Sequence, residues 1–237
     1  MSVLLPGTPI PASSITTTSS RPLALGPGLR LLASETLVAT TAGSLSLDAR
    51  KNALWLTPPS GGRYTPSVGD LVVATVARSA AESYNCTIVP HTPPAVLGQL
   101  SFEGATRKTR PQLSSGALVY ARVARVEKGG EVEIECVDAS TGKASGLGPL
   151  KGGVVVDVSP AFARRLMLGS KGGVVVLEEL GAKVGFEIAI GRNGRVWVDA
   201  GGVRETMRVV RVIRRTEEEG LDVRAQRKVV EKVLREG

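Results

Sequence analysis

Residues 186–198 read FEIAIGRNGRVWV, two runs of alternating apolar residues joined by Gly191-Arg192-Asn193-Gly194. Phe186, Ile188 and Ile190 share one side of a strand with period two, and Val196 and Val198 resume the pattern beyond the turn, with Trp197 on the opposite face. Asn193-Gly194 is a dipeptide that takes positive φ readily, so the segment is expected to be a β-hairpin. By itself an Asn-Gly between apolar runs announces no more than that. Its neighbours decide what the hairpin belongs to.

Upstream, Val154 to Val158 reads as a strand, and Ser159-Pro160 supplies an N-cap and a first-turn proline for a helix through Leu168. Gly169-Ser170-Lys171-Gly172 breaks that helix, and Val174 to Leu180 is compatible with either a helix or a strand because its β-branched residues suit both. Downstream, Val203, Met207, Val210 and Ile213 recur at helical spacing, and a last helix from about Asp222 turns Val223, Val230, Val233 and Leu234 inward. The order β-α-α-β-β-α, with an appended helix, is that of a KH-type α+β module over residues 150–237.

Before it, residues 63–149 read as short strands. Leu71 to Ala77, Tyr84 to Val89 and Ala95 to Leu100 are followed by a clear hairpin, Leu118 to Val126 and Glu131 to Val137, closed at Lys128-Gly129-Gly130. Five strands at this spacing fit an OB-type barrel. In the last of them Val132, Ile134 and Cys136 point inward, while Glu131, Glu133 and Glu135 form an outward row expected to be solvated. Residues 142–153 read as a glycine-rich linker. Residues 1–62 hold an extended arm over 2–28, rich in Pro, Ser, Thr and Gly, and a small β-meander ending at Pro58-Pro59-Ser60-Gly61-Gly62. The fold class is therefore mixed β and α+β, in three small domains.

The 237 residues carry 30 Lys and Arg against 22 Asp and Glu, a net charge of +8 with a pI near 9.9, which favours a polyanionic partner. Most of the excess is C-terminal, where residues 150–237 hold 17 basic and 12 acidic side chains. Cys86 and Cys136 lack neighbours at metal-ligand spacing, so they read as buried thiols, and no metal or cofactor is expected. His91, the single histidine, sits among Pro90, Pro93 and Pro94, a loop setting unlike that of a general base. No leader pattern or apolar run of membrane length is apparent, so an intracellular chain without a membrane partner is expected.

A barrel followed by a KH-type module in one basic chain resembles the S1/KH cap subunits of the eukaryotic RNA exosome, the ribosomal-RNA-processing protein forty family. The residues that carry the resemblance are Tyr64 to Asp70, Leu100 to Pro111, Gly116 to Arg122, Glu131 to Asp138 and Gly191 to Val198. With the N-terminal arm they cover essentially the whole chain. The resemblance implies a noncatalytic RNA-binding cap subunit, in the nucleus, nucleolus and cytoplasm. Such a subunit stabilises a ring of RNase-PH-like subunits beside other cap subunits. It also guides single-stranded RNA into the central channel for 3′-to-5′ processing by an associated nuclease. The alternative is a freestanding S1/KH protein that binds RNA sequence-specifically.

Arg107, Lys108 and Arg110 lie in the long polar loop of the barrel and are the expected phosphate contacts; pairing with acidic ring subunits is the competing role. Phe102 beside them is a candidate for base stacking or for anchoring the loop to the core. In a KH module the RNA clamp is a Gly-x-x-Gly loop between two helices, the slot held here by Gly169 to Gly172. Gly191-Arg192-Asn193-Gly194 occupies a hairpin instead and is expected to be an architectural turn that locks the module onto the barrel, with Trp197 packing between them. Arg204, Arg208, Arg211 and Arg215 form a basic stripe on one helix, either solvated or in contact with a partner.

Overall fold

The apolar alternation of residues 36–57 builds parts of two small sheets, where the sequence suggested one meander. The structure, a computed structural model, describes residues 3–11, 22–34, 36–48, 52–57, 63–127, 131–138 and 140–235. The chain divides into two compact units, residues 1–62 and 63–237. In the first, β1 (Val3–Leu4), β6 (Gly43–Asp48), β7 (Ala53–Thr57) and β3 (Ala24–Leu25) form one sheet in that order. The other sheet is β2 (Pro9–Ile10), β5 (Leu37–Ala39) and β4 (Leu29–Leu31). The expected arm therefore contributes strands, because its apolar pairs find edges to join. Ile10, Leu37 and Leu54 are the buried centre of this unit. Residues 12–21 of the arm, the Arg50-Lys51 turn and the Pro58 to Gly62 boundary lie outside the described residues.

The second unit begins with the barrel, made of β8 (Leu71–Ser79), β9 (Ser83–Thr87), β10 (Ala95–Phe102), β11 (Leu118–Val126) and β12 (Val132–Cys136). Its sheet order is β12-β10-β9-β8-β11, and pairing of β11 with β12 closes the ring. β10 and β12 run parallel and the other neighbours antiparallel. Val72, Ala74 and Val76 on β8 join Tyr84, Leu97, Val119, Val123 and Ile134 in the interior, as the period of two requires. The closing turn at Lys128 to Gly130 lies outside the described residues. Two of the acidic side chains on β12 are not simply solvated: Glu135 pairs with Arg122 at 2.8 Å and Glu133 with Arg125 at 3.6 Å across the strand pair. Within the expected linker, β13 (Gly148–Leu150) pairs antiparallel with β11 and extends the barrel wall. Pro149 is tolerated there because the strand has a partner on one side only.

The α+β module follows as β14 (Val154–Asp157), α1 (Pro160–Leu168), α2 (Val176–Gly181), β15 (Glu187–Ile190), β16 (Arg195–Asp199), α3 (Val203–Glu218) and α4 (Val223–Arg235). Ser159 caps α1 by accepting the Phe162 N–H at 3.2 Å. The segment that allowed either a helix or a strand is helical, since Val176 and Leu180 fall one turn apart and both are buried. β16 lies between β14 and β15, and the sheet carries buried apolar side chains on both faces. Val156, Val196 and Val198 pack against the helices, where Val210, Ile213, Val230 and Val233 complete the core.

One polar side chain interrupts that core. Gln226 is fully buried on α4, where its Oε1 accepts the Val175 N–H at 2.9 Å and its Nε2 donates to the carbonyls of Gly173 and Leu221. These bonds tie the appended helix to the start of α2. Gln226→Leu keeps the volume but strands one donor and two acceptors, each worth about 1–3 kcal/mol when buried unpaired. We expect a loss of about 3 kcal/mol or more in urea unfolding for Gln226→Leu, and a smaller loss of about 1–3 kcal/mol for Gln226→Glu, whose protonated carboxyl donates one hydrogen bond where the amide donates two.

Candidate nucleic-acid interface

The loop from β10 to β11 is built, although it carries no regular structure. Thr106 and Thr109 organise its tip: the Thr109 hydroxyl accepts the Thr106 N–H at 3.0 Å and donates to the Gly104 carbonyl at 3.2 Å. The Arg110 N–H returns to the Thr106 carbonyl at 2.9 Å. At its far side the buried Tyr84 hydroxyl donates to the Pro111 carbonyl at 2.8 Å, fastening the loop to the barrel. Arg107 and Lys108 are consequently exposed at the tip, and Arg110 is half-buried behind them. Arg107 and Arg110 line a cleft of about 510 Å³ together with Glu82, Gln99 and Ser101; Lys108 stands outside it.

Phe102 is placed otherwise than a stacking residue would need. It is 7% exposed and belongs to the barrel core, so of its two candidate roles it performs the anchoring one. Tyr64 and Tyr84 are also buried, and Tyr120 faces the α+β module. Burial raises the Tyr120 phenol to about 12, and the Cys86 and Cys136 thiols, both free, are likewise pushed up to about 12 by burial. The barrel's surface chemistry toward a polyanion is thus cationic and polar, without an aromatic platform among the described residues.

The hairpin between β15 and β16 meets β8 directly. Arg192 N–H donates to the Leu71 carbonyl at 2.7 Å. The Asn193 side chain accepts the Val73 N–H at 3.3 Å, while its Nδ2 donates to the carbonyls of Val73 at 3.0 Å and Ile88 at 2.8 Å. Only Gly194 takes a positive φ, at 79°; Asn193 does not, which departs from the turn expected for this dipeptide. Asn193 is present for its amide. Gly191 is needed for close approach, because a Cβ there would stand 2.7 Å from the Val73 nitrogen.

Around this contact Arg192 pairs with the buried Asp70 at 3.0 Å, and Asp70 accepts the Tyr64 hydroxyl at 2.9 Å. Burial, then this bond, drives the Tyr64 phenol well above its ordinary range. Arg195 donates to the Thr75 hydroxyl at 2.8 Å and the Val73 carbonyl at 3.2 Å, and burial lowers its pKa. Tyr120 donates to the Ile190 carbonyl at 3.1 Å. Trp197 packs with Val73 and Ala189, flanked by Leu118, Tyr120, Leu150 and Val155, and its indole N–H reaches the Gly152 carbonyl at 2.9 Å.

Arg195 and Thr75 were not singled out from the sequence. Arg195 shares strand parity with Trp197, and that signal could have found it.

Gly169 to Gly172 forms a 3-10 turn between α1 and α2. The Ser170 N–H donates to the Glu178 carboxylate at 3.2 Å, and Arg165 Nε donates to the Gly172 carbonyl at 3.0 Å. A carboxylate therefore occupies an amide that a phosphate clamp would use. Along α3, Arg208 faces Glu205 at 3.9 Å and Arg215 faces Glu219 at 2.8 Å, so acidic neighbours interrupt the stripe. His91 is exposed in its loop. Among the described residues no cluster of His, Cys, Asp or Glu could hold a metal ion, and no helix is long and apolar enough to cross a membrane.

A closed five-stranded barrel joined through β8 to a KH-type sheet defines an S1/KH protein. The family model for the S1 domain of exosome complex component RRP40 matches residues 64–148, a KH domain model matches 153–204, and the Rrp40 N-terminal domain model, described as belonging to an exosome complex exonuclease, matches 23–61. Exosome complex component rrp40 of Schizosaccharomyces pombe is 39% identical over 222 residues, covering 92% of this chain and 89% of the relative. Human exosome complex component RRP40 is 31% identical over 206 residues, covering 85% and 73%. A crystal structure assigned to an exosome complex RNA-binding protein shares the fold, with a TM-score of 0.59 at 22% identity over 73% of this chain and 97% of the other. The chain belongs to the RRP40 family of exosome complex components.

Replacing Asn193 by Ala leaves one donor and two acceptors at the joint without these partners, and Asn193→Asp sets a carboxylate against two carbonyls. Each variant should lower the urea-unfolding stability of residues 63–237 by about 2–3 kcal/mol or more, with Asp the worse of the two.

Proposed function

We propose that this chain is a noncatalytic, RNA-binding cap subunit of an exosome complex. In this reading it sits on RNase-PH-like ring subunits beside other cap subunits, stabilises that ring and guides single-stranded RNA into the central channel. An associated nuclease then processes or degrades the RNA from its 3′ end, ribosomal RNA included, in the nucleus, nucleolus and cytoplasm. Residues 1–62, 63–149 and 150–237 act as three parts, of which the barrel meets RNA.

The observation that carries the reading is the fastened loop that holds Arg107 and Lys108 in solvent at the barrel's rim, with Arg110 behind them. Family membership and the net charge of +8 support it. Cationic side chains without exposed aromatics favour phosphate contacts that tolerate any sequence. The Glu178 carboxylate on the glycine-bounded turn speaks against a freestanding KH reader of base sequence.

The test is RNA crosslinking and threading in the reconstituted assembly, with Arg107, Lys108 and Arg110 each changed to Glu. Crosslinking should fall severalfold, and each lost phosphate contact should flatten the log-log salt dependence by about 0.7. Unchanged crosslinking would assign the loop to protein contacts. Cleavage of RNA by the purified chain with magnesium or manganese would contradict the noncatalytic role.

A further inference from the structure

The cleft beside the basic loop holds opposite charges that do not meet. Arg107 and Arg110 line one part of it, and Glu82, from the turn between β8 and β9, lines another. Among the described residues no ion pair joins Glu82 to either arginine. Glu82 is held in place through its backbone, whose carbonyl accepts the Gln99 N–H at 3.0 Å. Beside it the register of β10 against β12 shifts between Leu97 and Phe102, the stretch whose Gly98 to Ser101 line the cleft. Gln99 Oε1 and Arg110 Nε are buried at this place without hydrogen-bond partners from the chain itself.

A carboxylate on a phosphate track weakens phosphate binding unless it receives a hydrogen bond. In the sugar-phosphate backbone of a nucleic acid the 2′-hydroxyl is the donor that RNA has and DNA lacks. We infer that this cleft seats one ribonucleotide, its phosphate on Arg107 and Arg110 and its 2′-hydroxyl donating to Glu82, so that the barrel prefers RNA to DNA. The inference rests on the reading that the basic loop meets RNA. It adds a selection that phosphate contacts alone do not provide.

The experiment compares binding of the full chain, at low salt, to a fluorescent single-stranded RNA, the DNA of the same sequence and a 2′-fluoro RNA. The 2′-fluoro oligomer keeps the sugar pucker of RNA but has no donor. Wild type should bind RNA about fivefold more tightly than either of the others, the factor given by one hydrogen bond. Glu82→Ala should bind all three alike, with DNA bound at least as tightly as by wild type. Glu82 is exposed in a turn, and an unchanged melting curve checks that the variant folds.

A wild-type chain that does not discriminate, or a Glu82→Ala chain that discriminates as well as wild type, overturns the inference while leaving the RNA-binding role standing. Failure of wild type to bind any of the three overturns the role itself and the inference with it.

Discussion

The rest of the second unit depends on one side-chain amide. Asn193 reads both the donor and the acceptor of Val73 and also satisfies Ile88, so it treats the outer edge of the barrel as a strand would. An amide can do this because it presents a donor and an acceptor from one rigid plane. Aspartate lacks the donor. Gly191 permits the approach, and the Arg192–Asp70 and Arg195–Thr75 contacts flank it, Arg192 giving the buried Asp70 an opposite charge.

The joint explains why the sheet of the α+β module carries buried apolar side chains on both faces. One face takes the helices, and the other takes Trp197, Ala189 and Val155 against Val73 of the barrel. Val73 points outward from β8 while Val72 and Ala74 point in, so a single strand serves two cores. Covering Trp197 removes a large apolar surface that neither module could leave in water without cost, about 1.5–3 kcal/mol for a side chain of this kind. A loop fastened to such a body presents its cations in a fixed place, which lowers the ordering cost of meeting a polyanion.

Much of this was legible in the sequence where periodicity is strong. β11 and α1 have the expected bounds or nearly so, because alternation, a serine cap and a proline leave few alternatives. The strands β1, β2 and β3 of the first unit and β13 were not legible, unlike the meander runs of β5, β6 and β7: strands of two or three residues are fixed by the edge they join, and that edge is distant in sequence. The roles of Gln226 and Arg195 were hidden for a related reason. Each occupies a position of inward or barrel-facing parity, yet its residue type suggests solvent until the packing partners are known. Phe102 could be placed beside the basic loop, but only the barrel's closure decides that its ring turns inward.

The most direct test of a rigid joint is ¹⁵N relaxation of the full chain, comparing amides of residues 71–136 with those of residues 154–235. A joint of the kind built by Asn193 and Trp197 predicts one overall rotational correlation time and one diffusion tensor for both sets. Two distinct correlation times, with the barrel and the α+β module reorienting separately, would contradict the account.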